Sequence, residues 1–303
     1  MDVLNSCVGT ADATRLFIGS ETDSRIDRTP GPYDPLFKCI ASNSHLNFGL
    51  GRHKDGFGKL LFWATMRAVV FSGGALFGAY HVGAWKVLSR HFTPDLVVGA
   101  SIGSMFGFLI ACGYPIEEIE REWLTGSRYA QPRWRIPRSP LGGWLDPACV
   151  HAMMREMTEK LTPKIPFACV ALKLPRLTPV IFQSPGITWQ HLAASCAIPF
   201  AYDIQRIGGA RYVDGGLIRA CPIREAQQLG ATEIIALNCM NGGSGRIGAD
   251  AYVIGTSRYL GNPRDSLVWK RANIERWIST GEDDAWRALA TRNICVENVL
   301  TPK

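Results

Sequence analysis

The chain has 303 residues, 47% of them hydrophobic and 19% charged, which is enough apolar material for a sizeable core and too little charge for a disordered tail. A net charge of +7 with a pI near 9.0 suits an anionic surface, yet no recognised nucleic-acid motif accompanies the charge, so nucleic acid is not an expected partner. The most sustained apolar run, Leu96 to Cys112, falls short of the roughly 20 residues that span a bilayer.

Residues 1–58 lack a sustained periodicity and carry Pro30-Gly31-Pro32 among many Ser, Asn and Gly, so an irregular lead-in is expected. Ala68 to Phe71 reads as a buried strand, Gly73 and Gly74 as a turn, and Ala79 to Leu88 as an amphipathic helix. Leu96-Val97-Val98 is a second strand, followed by Gly99-Ala100-Ser101-Ile102-Gly103 and an apolar helix through Ile110. Glu117 to Leu124 is a short charged helix. The densest basic stretch, Arg128 to Arg138, interleaves Arg and Trp with prolines that forbid a regular helix. Such a loop can rest its rings at headgroup depth and its guanidinium groups on phosphates, so peripheral contact with an anionic membrane surface is an expectation.

Asp146-Pro147 opens a helix that runs through Met153, Met154 and Met157 to Leu161, the methionines being read as core filling rather than a lipid groove. Phe167 to Leu172 and Pro179 to Phe182 are strands, and Thr188 caps a helix through Ala197. Ile204 to Ile207 and Ala210 to Val213 form a hairpin about Gly208-Gly209, delivering Asp214-Gly215-Gly216. A helix over Ile223–Leu229 and a strand over Glu233–Asn238 follow, and beyond Asn241–Gly245 helices are expected at Leu267–Ile278 and Asp283–Leu289. The alternation predicts an α/β fold, a three-layer sandwich with a mostly parallel central sheet flanked by helices. Three parts are expected: an irregular N-terminal extension over 1–66, a catalytic domain over 67–240 and a helical C-terminal extension over 241–303.

The Gly99–Gly103 pentapeptide has the context of a nucleophile elbow: a strand, a glycine-flanked serine and a buried helix. Glycines at the Gly73-Gly74 junction let backbone amides face a developing oxyanion, and Asp214 lies at a glycine turn closing a strand. A nucleophile, oxyanion donors and a carboxylate on strand ends make a coherent acyl-transfer site. None of the six histidines follows Asp214, so a Ser…Asp…His triad has poor support. A dyad without histidine would need the aspartate itself to accept the serine proton, with burial raising its pKa and hydrogen bonds opposing the rise.

The order of a Gly-Gly loop, Gly-Ala-Ser-Ile-Gly and Asp-Gly-Gly, with Ala197-Ile198-Pro199-Phe200 before the last, resembles the patatin-like phospholipase family over roughly residues 67 to 240. The resemblance implies a lipid acyl hydrolase with a Ser101–Asp214 dyad and an oxyanion hole from the amides of Gly73, Gly74 and Ala75. Gly78, Gly99, Gly103, Gly215 and Gly216 would support the motifs. The family's loop usually reads Gly-Gly-Gly-x-Arg/Lys-Gly, and here Ala75 stands for the third glycine and Phe77 for the basic residue. Ala75 can present its N–H if its φ is negative. Phe77 suggests a more apolar mouth, which leaves phospholipid against neutral-ester specificity open.

Two other readings stand beside this one: an acyltransferase pairing Ser101 with His191, and a catalytically silent lipid-binding relative. No cofactor or metal is expected, since the nine cysteines show no C-x-x-C pair or metal-like spacing and read as reduced thiols. The start, Met1-Asp2-Val3-Leu4, has no basic n-region and no long apolar stretch, so the expected setting is intracellular, cytoplasmic or peripherally membrane-associated.

Overall fold

The computed structural model describes residues 48–50, 62–126, 133–137, 142–218 and 220–291. Most of the expected lead-in and most of the basic stretch 128–138 lie outside the described residues. Inside the 1–66 region, β1 (Phe48–Leu50) and β2 (Phe62–Ala64) pair as a small antiparallel ribbon.

The apolar runs read as strands are buried along their whole length, as a sheet covered on both faces requires. They are β3 (Arg67–Phe71), β4 (Leu96–Ala100) and β5 (Phe167–Lys173), with only Lys173 exposed. With β6 (Thr178–Gln183), β7 (Gln205–Ile207), β8 (Ala210–Asp214), β9 (Glu233–Gly242), β10 (Gly245–Ile247) and β11 (Ala251–Thr256), they form one mixed sheet. Its order is β10-β11-β9-β3-β4-β5-β8-β7, with β6 also paired to β5. The pairs from β11 through β9, β3 and β4 to β5 are parallel, and the remaining pairs antiparallel.

Alternate residues along the central strands enter two separate cores, as the strand period dictates. Val69, Phe71, Val97 and Phe167 face the larger one. It is built with α1 (Ala79–Leu88), α2 (Ile102–Ala111), α3 (Ile116–Thr125), α4 (Ala148–Lys160) and α7 (Arg271–Ala290). Ala68, Val70, Val98 and Ala168 face the smaller core beneath α6 (Ile223–Gln228). This is the three-layer α/β architecture read from the alternation.

The segment beyond residue 240 differs from the helical extension expected of it. β10 and β11 extend the main sheet, and the two expected helices are one continuous helix, α7. That helix lies so close to α1 that a Cβ on Gly83 would sit 1.9 Å from the Ile278 carbonyl oxygen, and one on Gly281 2.2 Å from that of Tyr80. Glycine on both helices is what allows backbone to meet backbone there. Turn-rich sequence around Gly242-Gly243 reads as a boundary, but it is the corner through which the chain returns to the sheet edge.

Candidate active site

Strand β5 acts as the ruler for the site. Val170 pairs with Ala100 of β4, and the next residue, Ala171, pairs with Asp214 of β8. Because β6 occupies the other edge of β5 throughout, β4 and β8 share one edge, and β8 begins where β4 stops. The residue after Ala100 is Ser101, so register alone brings serine and aspartate side by side from 113 positions apart.

Ser101 sits at φ 53°, ψ −129°, a conformation that costs a non-glycine residue of order 1–3 kcal/mol and is held by its surroundings. The flanking glycines make the turn feasible. A Cβ on Gly99 would lie 2.2 Å from the Gly103 carbonyl oxygen, and one on Gly103 would lie 2.3 Å from that of Phe71. Ser101 N–H donates to Ser195 Oγ at 3.0 Å, which donates in turn to the Val170 carbonyl at 2.7 Å. Ser104 Oγ donates to the Ser101 carbonyl at 2.6 Å.

Ser101 Oγ donates to Asp214 Oδ2 at 2.6 Å, while the other carboxylate oxygen accepts the Gly216 N–H at 2.6 Å. Both side chains belong to nearly fully buried residues. Burial lifts the Asp214 carboxyl from 3.8 to about 6, partly opposed by the hydrogen bonds from Ser101 and Gly216. Desolvation therefore outweighs hydrogen bonding, and the carboxylate is ionised at neutral pH yet basic enough to accept a proton.

The glycine loop corrects part of the expectation. Gly73 N–H donates to the Ala220 carbonyl at 2.7 Å, so this amide, expected to be an oxyanion donor with those of Gly74 and Ala75, is already engaged. Ala75 has φ +50°, not the negative angle that would spare it strain, and opens a 3-10 turn over Ala75–Gly78. The loop rests on Cys239, whose thiol donates to the Gly73 carbonyl at 3.2 Å and whose N–H donates to Ser72 Oγ at 3.0 Å. Burial pushes that thiol up to about 12, keeping its proton in place.

The model of the patatin-like phospholipase family matches residues 69–226, a span that contains the elbow, the aspartate and the glycine loop. The chain belongs to the patatin-like phospholipase family. Relatives include a protein named Lysophospholipase NTE1 from Lodderomyces elongisporus, 29% identical over 62% of this chain and 14% of its own length. The protein of that name from Scheffersomyces stipitis is 28% identical over 73% of this chain and 15% of its own. The chain thus spans about one seventh of the length of these relatives. Among solved structures, VipD from Legionella pneumophila superposes with a TM-score of 0.46 and 11% identity, over 80% of this chain and 70% of that one.

Within this patatin-like domain, Phe77 does not face a mouth. It is buried, and its ring stands edge-on to Trp277 of α7 with centroids 5.0 Å apart. The basic position of the family loop has become a core contact. His191 serves α5 (Trp189–Ser195) as part of a capping box: its Nδ1 accepts the Thr188 N–H at 3.0 Å. His81, beside the loop, is fully buried against Phe71 and Phe106, and burial holds its pKa down to about 3. It is neutral and structural. Among the described residues, no helix is long and apolar enough to cross a membrane.

Sequence reasoning missed Ser195 and Cys239 as supports of the site. Ser195 lies in a small-residue helix with no motif around it, and its role arises only from where α5 docks on β5.

Proposed function

We propose that the chain is a serine hydrolase of fatty-acyl esters of lipids, working through a Ser101–Asp214 dyad. The observation that carries this is the 2.6 Å hydrogen bond between Ser101 Oγ and a buried carboxylate whose pKa is raised to about 6. In acylation, Ser101 Oγ forms a bond to the ester carbonyl carbon and its proton passes to Asp214. The carbonyl oxygen takes the negative charge and is held by the amides of Gly74 and Ala75. Collapse breaks the ester C–O bond, and Asp214 returns the proton to the leaving alcohol. A water then gives its proton to Asp214 and attacks the acyl-enzyme; collapse frees the fatty acid and restores the Ser101 hydroxyl. Since relatives carry the name lysophospholipase, a monoacyl phospholipid is the first substrate class to try.

The pairing of Ser101 with His191 is disfavoured, because His191 spends its Nδ1 on a helix cap. The membrane side of the proposal rests on Trp134, Ile136, Trp144 and Phe200, all exposed. The Trp144 N–H donates to the Phe200 carbonyl at 2.8 Å, and Arg135 is ion-paired with Asp203. With Arg133 exposed alongside, this rim suits an anionic lipid surface, and sedimentation with anionic and neutral vesicles at two salt concentrations tests it.

A fluorophosphonate should label the protein and fail to label Ser101→Ala. Hydrolysis of a lysophospholipid, a phospholipid, a triglyceride and a short nitrophenyl ester then defines the class. A folded protein that neither labels nor hydrolyses any of them would make the silent lipid-binding reading the correct one.

A further inference from the structure

A cavity of about 260 Å³ lies between α2, α3 and α4, outside the dyad itself. One wall is the face of α2 formed by Ile102, Met105, Phe106 and Leu109, which recur at helical spacing and rise about 10 Å. Met153 and Met157 of α4 form the facing wall, and Trp123 of α3 stands beside them. The near end is set by the elbow: Ile102 shares a peptide bond with Ser101, and a Cβ on Gly78, which ends the oxyanion turn, would lie 2.7 Å from its side chain. The far end is fixed by the chain itself. Lys164 and Ile165 donate backbone hydrogen bonds of 2.8 and 3.1 Å to the Ala111 carbonyl, so the C-terminal ends of α2 and α4 lie together. There the lining becomes polar: Lys160 pairs with Glu156 at 3.0 Å, and Tyr114 Oη meets Glu122 Oε1 at 3.5 Å.

Resting on the hydrolase reading, we propose that this cavity receives the fatty-acyl tail of the substrate and that its charged far end limits the length of chain accepted. The walls are apolar for the length of α2 that follows the nucleophile, so a tail laid along α2 from Ser101 meets carbon over that length. Two methionines make an adaptable wall for a flexible chain, being unbranched and able to repack. At about 260 Å³ the cavity lies just below the roughly 300 Å³ at which sites for drug-sized ligands begin, a scale fit for a single slender chain. Methylenes that enter gain by burial; those that reach Lys160, Glu156 and Glu122 meet groups that prefer water.

The experiment is a series of nitrophenyl esters from butyrate to palmitate, read as kcat/KM. In the wild type each added methylene should raise kcat/KM about fourfold, corresponding to about 0.8 kcal/mol per buried CH₂, until a plateau. Leu109→Trp, which fills the far half, should move the plateau to shorter acids and lower the ratio of the longest to the shortest ester at least tenfold. Met157→Phe is the milder second variant if the first does not fold. A flat wild-type series, or a break at the same chain length in the variants, overturns the proposal. Binding is read separately in Ser101→Ala, where a brominated fatty acid should quench tryptophan emission, with the quench reduced by Trp123→Phe. If no ester is cleaved but that quench is seen, the hydrolase reading falls and the cavity assignment stands. A quench untouched by Trp123→Phe overturns the cavity assignment whatever the activity.

Discussion

Replacing Asp214 by asparagine should destroy activity and raise stability, and the two effects share one cause. The folded-state carboxyl titrates at about 6 against 3.8 in an exposed chain, about two pH units. At roughly 1.4 kcal/mol per unit, holding that carboxylate ionised inside the fold costs about 3 kcal/mol at neutral pH. The sign follows from proton counts. Below the unfolded pKa the group is protonated in both states and costs nothing. As pH rises from about 4 to about 6, the unfolded chain ionises first, so the native state loses ground; above that window the cost is constant.

An asparagine keeps the acceptor for the Gly216 N–H but leaves the Ser101 hydroxyl without a strong acceptor, which removes about 1 kcal/mol of the gain. The net expectation is about 2 kcal/mol of added stability at pH 7.5, read as a later urea midpoint at unchanged slope, and no gain near pH 4. Hydrolysis should fall on the order of 1,000-fold, the scale of a lost general base, and wild-type kcat/KM should rise with pH through about 6 to a plateau. A variant destabilised equally at both pH values would refute the reasoning, since it would mean that the carboxylate is stabilising in place.

Three further outcomes are expected. Ala75→Gly relieves a left-handed residue at φ +50° worth about 1–2 kcal/mol, against a glycine entropy penalty of about 0.5–1 kcal/mol, so thermal unfolding should show the variant equal to or slightly more stable than wild type. Phe77→Arg restores the family's basic position in sequence only. Because residue 77 is buried against Trp277, the variant should lose about 3–5 kcal/mol in denaturant unfolding rather than gain activity. Gly281→Ala puts a methyl 2.2 Å from the Tyr80 carbonyl oxygen and should cost 3 kcal/mol or more, measured by urea unfolding; a neutral result would show that α1 and α7 can slide apart freely.

The parts of the fold carried by apolar runs and glycine turns were legible in the chain. Strands β3, β4 and β5, the elbow at Ser101 and the Asp214-Gly215-Gly216 turn each announce themselves within a few residues. What could not be read locally depends on distant partners. Gly73 looks like an oxyanion donor until the Ala220 carbonyl arrives to take its N–H. Phe77 looks like a substitution at a binding loop until α7 folds back over it. Asn241 to Gly245 carries every mark of a linker, yet it holds the end of β9 and the start of β10, and β9 pairs in parallel with β11, a pairing that no periodicity within either segment announces. Whether burial or hydrogen bonding would govern Asp214 was undecidable from sequence because the depth of the site is a property of the assembled layers.

Since Val170 and Ala171 are neighbours in β5, the meeting of hydroxyl and carboxylate is a by-product of two strands docking end to end along a third. In a nascent chain, then, the Ser101 hydroxyl has no carboxylate partner until the hairpin at 205–214 has seated. A slip of one residue there would turn the carboxylate to the opposite side of the sheet, leaving the serine with no base. Under the proposed dyad, hydrolytic competence is a readout of completed sheet assembly, and esterase activity regained during refolding would time the arrival of β8.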